Sequence, residues 1–121
     1  MWDKRATIIG IHDGDTLTAV LDQGFRQTTE ITVRLLGVFA PELKQVGGPE
    51  SLAFVRDWVS GFSTTKWPFV VTTIRGPKSD REITTLERYV AVVETIDHSH
   101  NLNIDVAAFV KAQGYGGGIG G

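Results

Sequence analysis

With 121 residues, 41% of them hydrophobic and 21% charged, the chain is sized for one domain with one core and is too short for two comfortable ones. Lys and Arg number 12 against 14 Asp and Glu, a net charge of −2, which excludes nucleic-acid binding by bulk attraction and leaves any such affinity to a local patch. Cysteine is absent, which excludes disulfides and thiolate metal sites, and no apolar run is long enough to span a membrane.

Met1 to Arg5 lead directly into a strand over Ala6–Ile11 with no apolar leader, so the chain is expected to be cytoplasmic, or secreted if a leader has been removed. The Asp13-Gly14 turn reverses it into a second strand, where Leu17, Ala19 and Leu21 alternate against Thr16, Thr18 and Val20. Asp22-Gln23-Gly24 predicts the next turn. A third strand over Thr29–Leu36 puts Ile31, Val33 and Leu35 on one face and Thr32, Arg34 and Leu36 on the other, which turns Arg34 away from the core.

Pro41 stops strand continuation, and Pro49 with Glu50 opens a helix to about Gly61 carrying Leu52, Val55, Val59 and Phe62. Phe69–Ile74 reads as a fourth strand, followed by a polar loop over Arg75–Glu87 and a fifth strand over Arg88–Ile96. Asn103 is the expected N-cap of a second helix reaching Gln113, with Val106, Ala107, Phe109 and Val110 as its apolar residues and Gly114 as its stop. Trp58 and Trp67 are expected as core and rim packing. The domain therefore covers residues 1–115, and residues 116–121 are expected to be a flexible Gly-rich tail. The fold class is mostly β with α: five short strands with a helix between the third and fourth match an OB-fold Greek-key barrel with two helices.

Two stretches carry chemistry: Asp13-Gly14-Asp15-Thr16, and Arg34-Leu35-Leu36-Gly37-Val38-Phe39-Ala40-Pro41-Glu42. Each places carboxylates at the end of a β-type run, and one adds an arginine. Oxygen ligands suit a hard cation and a guanidinium forks onto phosphate, so the set suits a cation beside a phosphate. Alone, Asp-Gly-Asp reads as a plain turn.

In this order the motifs resemble the staphylococcal nuclease-like (thermonuclease) family: Asp-Gly-Asp-Thr, Arg-Leu-Leu, Ala-Pro-Glu, the Gly48-Pro49-Glu50 helix start, Arg88 before a strand and Asn103 before the last helix. The likeness runs from about Ile8 to Gly114. It implies an OB-fold nuclease that hydrolyses DNA or RNA with Ca²⁺, working on a single strand and as a monomer. Asp15 matches a Ca²⁺ ligand, and Asp13 an outer group holding water or simply the turn. Glu42 matches the carboxylate that activates water, and Arg34 and Arg88 match the arginines that flank the scissile phosphate. The competing readings are a cross-strand ion pair of Arg34 with Asp15 or Glu30, and a surface pair of Arg88 with Glu87.

The chain also departs from the family pattern. Phe39 stands where the family carries a second Asp ligand, so the Ca²⁺ site is expected to be weakened. Thr84-Thr85-Leu86-Glu87 replaces the family's Asp-X-Tyr-Gly before the second arginine, so a Lys and a Tyr that contact phosphate are missing. Lys78 and Arg81 are candidate substitutes, against the alternative of solvated loop charges. Tyr115 is a candidate base contact, although the motif alignment does not place it there. His12 matches no family role and reads as a surface residue beside the turn, while His98 and His100, at i and i+2, have the spacing to hold a transition metal but no evident third ligand. A catalytically worn OB-type module that binds nucleic acid or protein is the alternative function, and a structural protein such as a virion component a third.

Overall fold

In the computed structural model, which describes residues 2–74 and 88–115 (Arg88 by its backbone alone), the first half of the chain is a three-stranded meander. β1 (Trp2–Asp13) turns into β2 (Thr16–Asp22), which turns into β3 (Thr28–Leu35). The period of two holds: Leu17, Ala19, Leu21, Ile31, Val33 and Leu35 are buried, while Thr16, Thr18, Thr32 and Arg34 lie on the more exposed face. β1 runs past the expected Ala6–Ile11 at both ends. Its extension at the start comes from pairing Trp2–Ala6 with β4 (Phe69–Thr73), a partner remote in sequence. β5 (Arg88–Thr95) then lies antiparallel to β4 and parallel to β3, closing a barrel in the order β1-β2-β3-β5-β4. The described residues form a closed five-stranded, OB-like barrel with two helices.

α1 (Gly48–Phe62) begins at an N-cap Gly47 in the left-handed region (φ 88°), with Pro49 in its first turn and Glu50 against the helix dipole. Its buried stripe is Ser51, Val55, Trp58 and Val59, so Leu52 and Phe62 flank the core rather than fill it. Trp58 is drawn inward by packing on Phe69 (ring centroids 5.6 Å apart) and by its indole N–H, which donates to Asp105 Oδ2 at 2.8 Å. Trp67 is half-buried at the rim.

α2 (Leu102–Gln113) corrects one expectation. Its N-cap is Asn101, whose side chain accepts the Ile104 N–H at 3.0 Å, and not Asn103. Asn103 lies two residues on, within the first turn, only 7% exposed, and its amide is committed elsewhere: Oδ1 accepts from Val93 N–H at 2.9 Å, and Nδ2 donates to the carbonyls of Leu36 and Ala91, each at 3.0 Å. One side chain thus ties β3, β5 and α2 together. Gly114 ends the helix as expected, in the left-handed region (φ 70°) with its N–H donating to Lys111 O. Ala107 is exposed, and Val106 and Val110 carry the buried face. α1 and α2 meet through Phe54 and Phe109, stacked at 4.5 Å.

Candidate functional site

The Asp13-Gly14 turn is held against the loop that leads into α1. A Cβ on Gly14 would lie 2.6 Å from Ala40 Cβ and 2.8 Å from Ser51 Cβ, so only glycine lets the turn approach this closely. The approach sets Asp15 beside the β3–α1 loop, where the Ala40 N–H donates to Asp15 Oδ2 at 3.3 Å. Thr16 Oγ1 donates to Asp15 Oδ1 at 3.0 Å, and Asp13 Oδ1 accepts the Asp15 N–H at 3.0 Å. Cross-strand register places Arg34 opposite Thr16, and the guanidinium reaches Asp15 Oδ2 at 3.7 Å. This is the ion pair expected as the alternative for Arg34, at a separation too long for a close hydrogen bond.

A cleft of about 370 Å³ opens here, lined by Asp13, Asp15, Thr16, Arg34, Phe39, Ala40, Glu42 and Gln45. Four residues chosen from separate sequence motifs, Asp13, Asp15, Arg34 and Glu42, therefore border one space. Glu42 sits on a loop fastened by Gln45, whose Oε1 accepts the Glu42 N–H at 2.8 Å while its own N–H donates to Glu42 O at 2.9 Å. Sequence reasoning passed over Gln45; its position three residues after Glu42 in a polar turn was the available signal. Thr16, as the partner of Asp15, was likewise unremarked.

Asp15 is 7% exposed, and its carboxyl is pushed up from 3.8 to about 6. Burial is the largest cause, followed by the hydrogen bond with Asp13 and the charge of Asp13; the Thr16 hydroxyl and the Arg34 charge offset part of the rise. Two carboxylates crowded in this way make a place where a cation would be welcome. Asp13 and Asp15 are the two carboxylates here that could hold a hard cation, with water filling the rest of its shell. Among the described residues no three His, Asp or Glu side chains gather closely enough to form a fuller ligand set.

Phe39, where the family resemblance leads one to expect an Asp ligand, is 52% exposed at the cleft edge, with the Arg34 guanidinium 5.9 Å from its ring centroid. Arg88 starts β5 with its backbone in register with Thr32, two residues before Arg34 on β3; its side chain, like Lys78 and Arg81, lies outside the described residues. Tyr115 does not line the cleft. It packs edge-on against Phe109 at 6.0 Å and covers Gly47, where any Cβ would strike its ring.

The histidines sit elsewhere. His12 Nε2 is 2.7 Å from Thr18 Oγ1, His98 Nδ1 is 3.4 Å from Glu94 Oε1, and His100 lies on the ring of Phe62 at 4.5 Å. No helix among the described residues is long and apolar enough to cross a membrane.

The class defined by the fold is an OB-like barrel with an acidic cleft and, among the described residues, Arg34 at its edge. No protein-family model matches this chain, and no curated protein matches it.

Proposed function

We propose that this protein is a Ca²⁺-assisted phosphodiesterase acting on DNA or RNA, of the staphylococcal nuclease-like kind. The observation that carries the reading is the grouping of Asp13, Asp15, Arg34 and Glu42 around one cleft at one end of the barrel. Glu42 takes the proton from the attacking water, on a loop held still by Gln45. Arg34, joined by Arg88, donates to the phosphoryl oxygens, where negative charge grows in the transition state. Asp15 with Asp13 holds the cation, whose contribution when bound is to neutralise phosphate charge as a Lewis acid. With Phe39 in place of a further ligand, binding of the cation is weak and leans on the substrate.

A second reading, a non-catalytic nucleic-acid-binding module, is favoured by Phe39 alone: an exposed ring beside Arg34 suits a base better than a cation. Cleavage of denatured DNA across a Ca²⁺ titration separates the two. Wild type should cut in a Ca²⁺-dependent manner, and Glu42→Gln should lower the rate by about 10²–10⁴-fold, the usual share of a general base. Oligonucleotide binding without cleavage at any Ca²⁺ concentration would establish the module instead.

A further inference from the structure

The turn between β2 and β3 breaks a rule of hairpin chemistry. The sequence points to Asp22-Gln23-Gly24 as the reversal, but the tight turn lies further on, closed by Gln27 N–H donating to Gly24 O at 2.8 Å. Its two central residues are Phe25 and Arg26, with φ of 52° and 64°. Positive φ at both positions is the pattern of a type I′ turn, which Asn-Gly fills cheaply and which side chains such as Phe and Arg resist. The strained turn holds Phe25 clear of the barrel: its side chain is 99% exposed, so no packing requirement accounts for it.

Basic residues lie in the turn and at its base. Arg26 shares the turn, and Arg5 Nη2 reaches Asp22 Oδ2 at 2.6 Å at its base. Lys66 joins the Gly24 N–H and Arg5 in holding the Asp22 carboxyl below its usual range, and lies over the Trp67 ring at 5.9 Å. From this tip the outer face of the hairpin leads straight back to the cleft through the pairs Asp22–Thr28, Val20–Glu30, Thr18–Thr32 and Thr16–Arg34. At a strand rise of about 3.3 Å per residue the path is about 20 Å long. Glu30 is a carboxylate on that path, so an anionic strand finds its cationic contacts at Arg34 by the cleft and at Arg26 by the tip, and not along Val20, Glu30, Thr18 and Thr32.

We infer that the β2–β3 tip is a second contact for a single nucleic-acid strand held in the cleft, with Phe25 stacking on a base and Arg26 and Lys66 meeting phosphates. This rests on the nucleic-acid reading of the cleft given above. Stacking on an exposed ring is indifferent to base identity, and neighbouring cations add the phosphate contact that a stacked base brings with it. One aromatic side chain offers too little apolar surface to hold the protein on a bilayer.

The test exploits the broken rule. Phe25→Asn with Arg26→Gly installs the preferred turn, so the double variant should melt at or above the wild-type temperature. Binding of a fluorescent dinucleotide and of a single-stranded dodecanucleotide is then measured by anisotropy with Ca²⁺ present, both proteins carrying Glu42→Gln so that cutting is slowed about 10²–10⁴-fold. The dinucleotide should bind both proteins equally, and the dodecanucleotide should bind the variant at least about 5- to 150-fold more weakly, the range for one lost stacking contact before the lost Arg26 charge is added. Equal dodecanucleotide binding by both proteins overturns the tip contact and leaves the cleft reading intact. Failure of the protein with the native tip to bind either oligonucleotide with Ca²⁺ present overturns the cleft reading, and the tip with it. A lower melting temperature in the variant overturns the strain argument. Binding to anionic vesicles that the variant loses, with oligonucleotide binding unchanged, overturns the inference in favour of a membrane contact.

Discussion

Replacing Asp15 by Asn should stabilise the protein at neutral pH and leave it almost unchanged in acid. Burial, then the hydrogen bond and charge of Asp13, raise the Asp15 carboxyl from 3.8 to about 6 in the folded state. The native protein therefore binds more protons than the unfolded chain between those values. The stability linked to Asp15 is fully present below the unfolded value and is lost as pH rises through about 6. The gap corresponds to about 3 kcal/mol at pH 8. Asn preserves the shape. Its carbonyl can accept the Ala40 N–H, and the Thr16 hydroxyl can reverse to accept from the new amide, so no buried polar atom is orphaned. The expected gain is about 1–3 kcal/mol at pH 8, shrinking towards zero near pH 4. Urea unfolding in chelator measures it, followed by the fluorescence of the tryptophans, among which Trp58 is only 8% exposed. Added Ca²⁺ at pH 8 should raise the wild-type midpoint and leave that of the variant unmoved. A stability difference that is the same at both pH values, or a loss at pH 8, would refute the reasoning.

Phe39→Asp should remain folded, since the ring is 52% exposed and its contact with Arg34 is worth about 0.5–1 kcal/mol. Without Ca²⁺ the third carboxylate should lower the melting temperature; with Ca²⁺ the loss should reverse, and cleavage should require less metal. No Ca²⁺-dependent recovery in the melt would count against a cation site. Asn103→Ala strands the Val93 N–H and removes a donor from two carbonyls, so urea unfolding should show a loss of about 2–4 kcal/mol; an effect under about 1 kcal/mol would mean that the amide is not the tie described. The Ser51 hydroxyl is buried without a hydrogen-bond partner among the described residues. Ser51→Ala should therefore be neutral or stabilising by up to about 1 kcal/mol, and a clear destabilisation in the same assay would reveal a partner.

Much of the barrel was legible in one dimension. Alternation along β2 and β3 assigned every inward residue and turned Arg34 outward, because successive strand side chains point to opposite faces whatever the neighbouring strand turns out to be. Asp13-Gly14 marked its turn because the residue chemistry acts locally. Asn101 and Asn103, by contrast, are two positions apart and equally good caps in isolation. Only the carbonyls of Leu36 and Ala91 and the N–H of Val93, arriving from other strands, decide that Asn103 is a tie and Asn101 the cap. Barrel closure is of the same kind, since the β1–β4 and parallel β3–β5 ladders join segments with no shared local pattern. The cleft depends on both levels. Motif order named Asp13, Asp15, Arg34 and Glu42, but their meeting follows from the Thr16–Arg34 register and the close approach of Gly14 to Ala40. The raised Asp15 carboxyl and the Phe25-Arg26 turn were beyond sequence reasoning altogether. A carboxyl's environment, and the register that places a residue at positive φ, are set by what the rest of the chain packs around them.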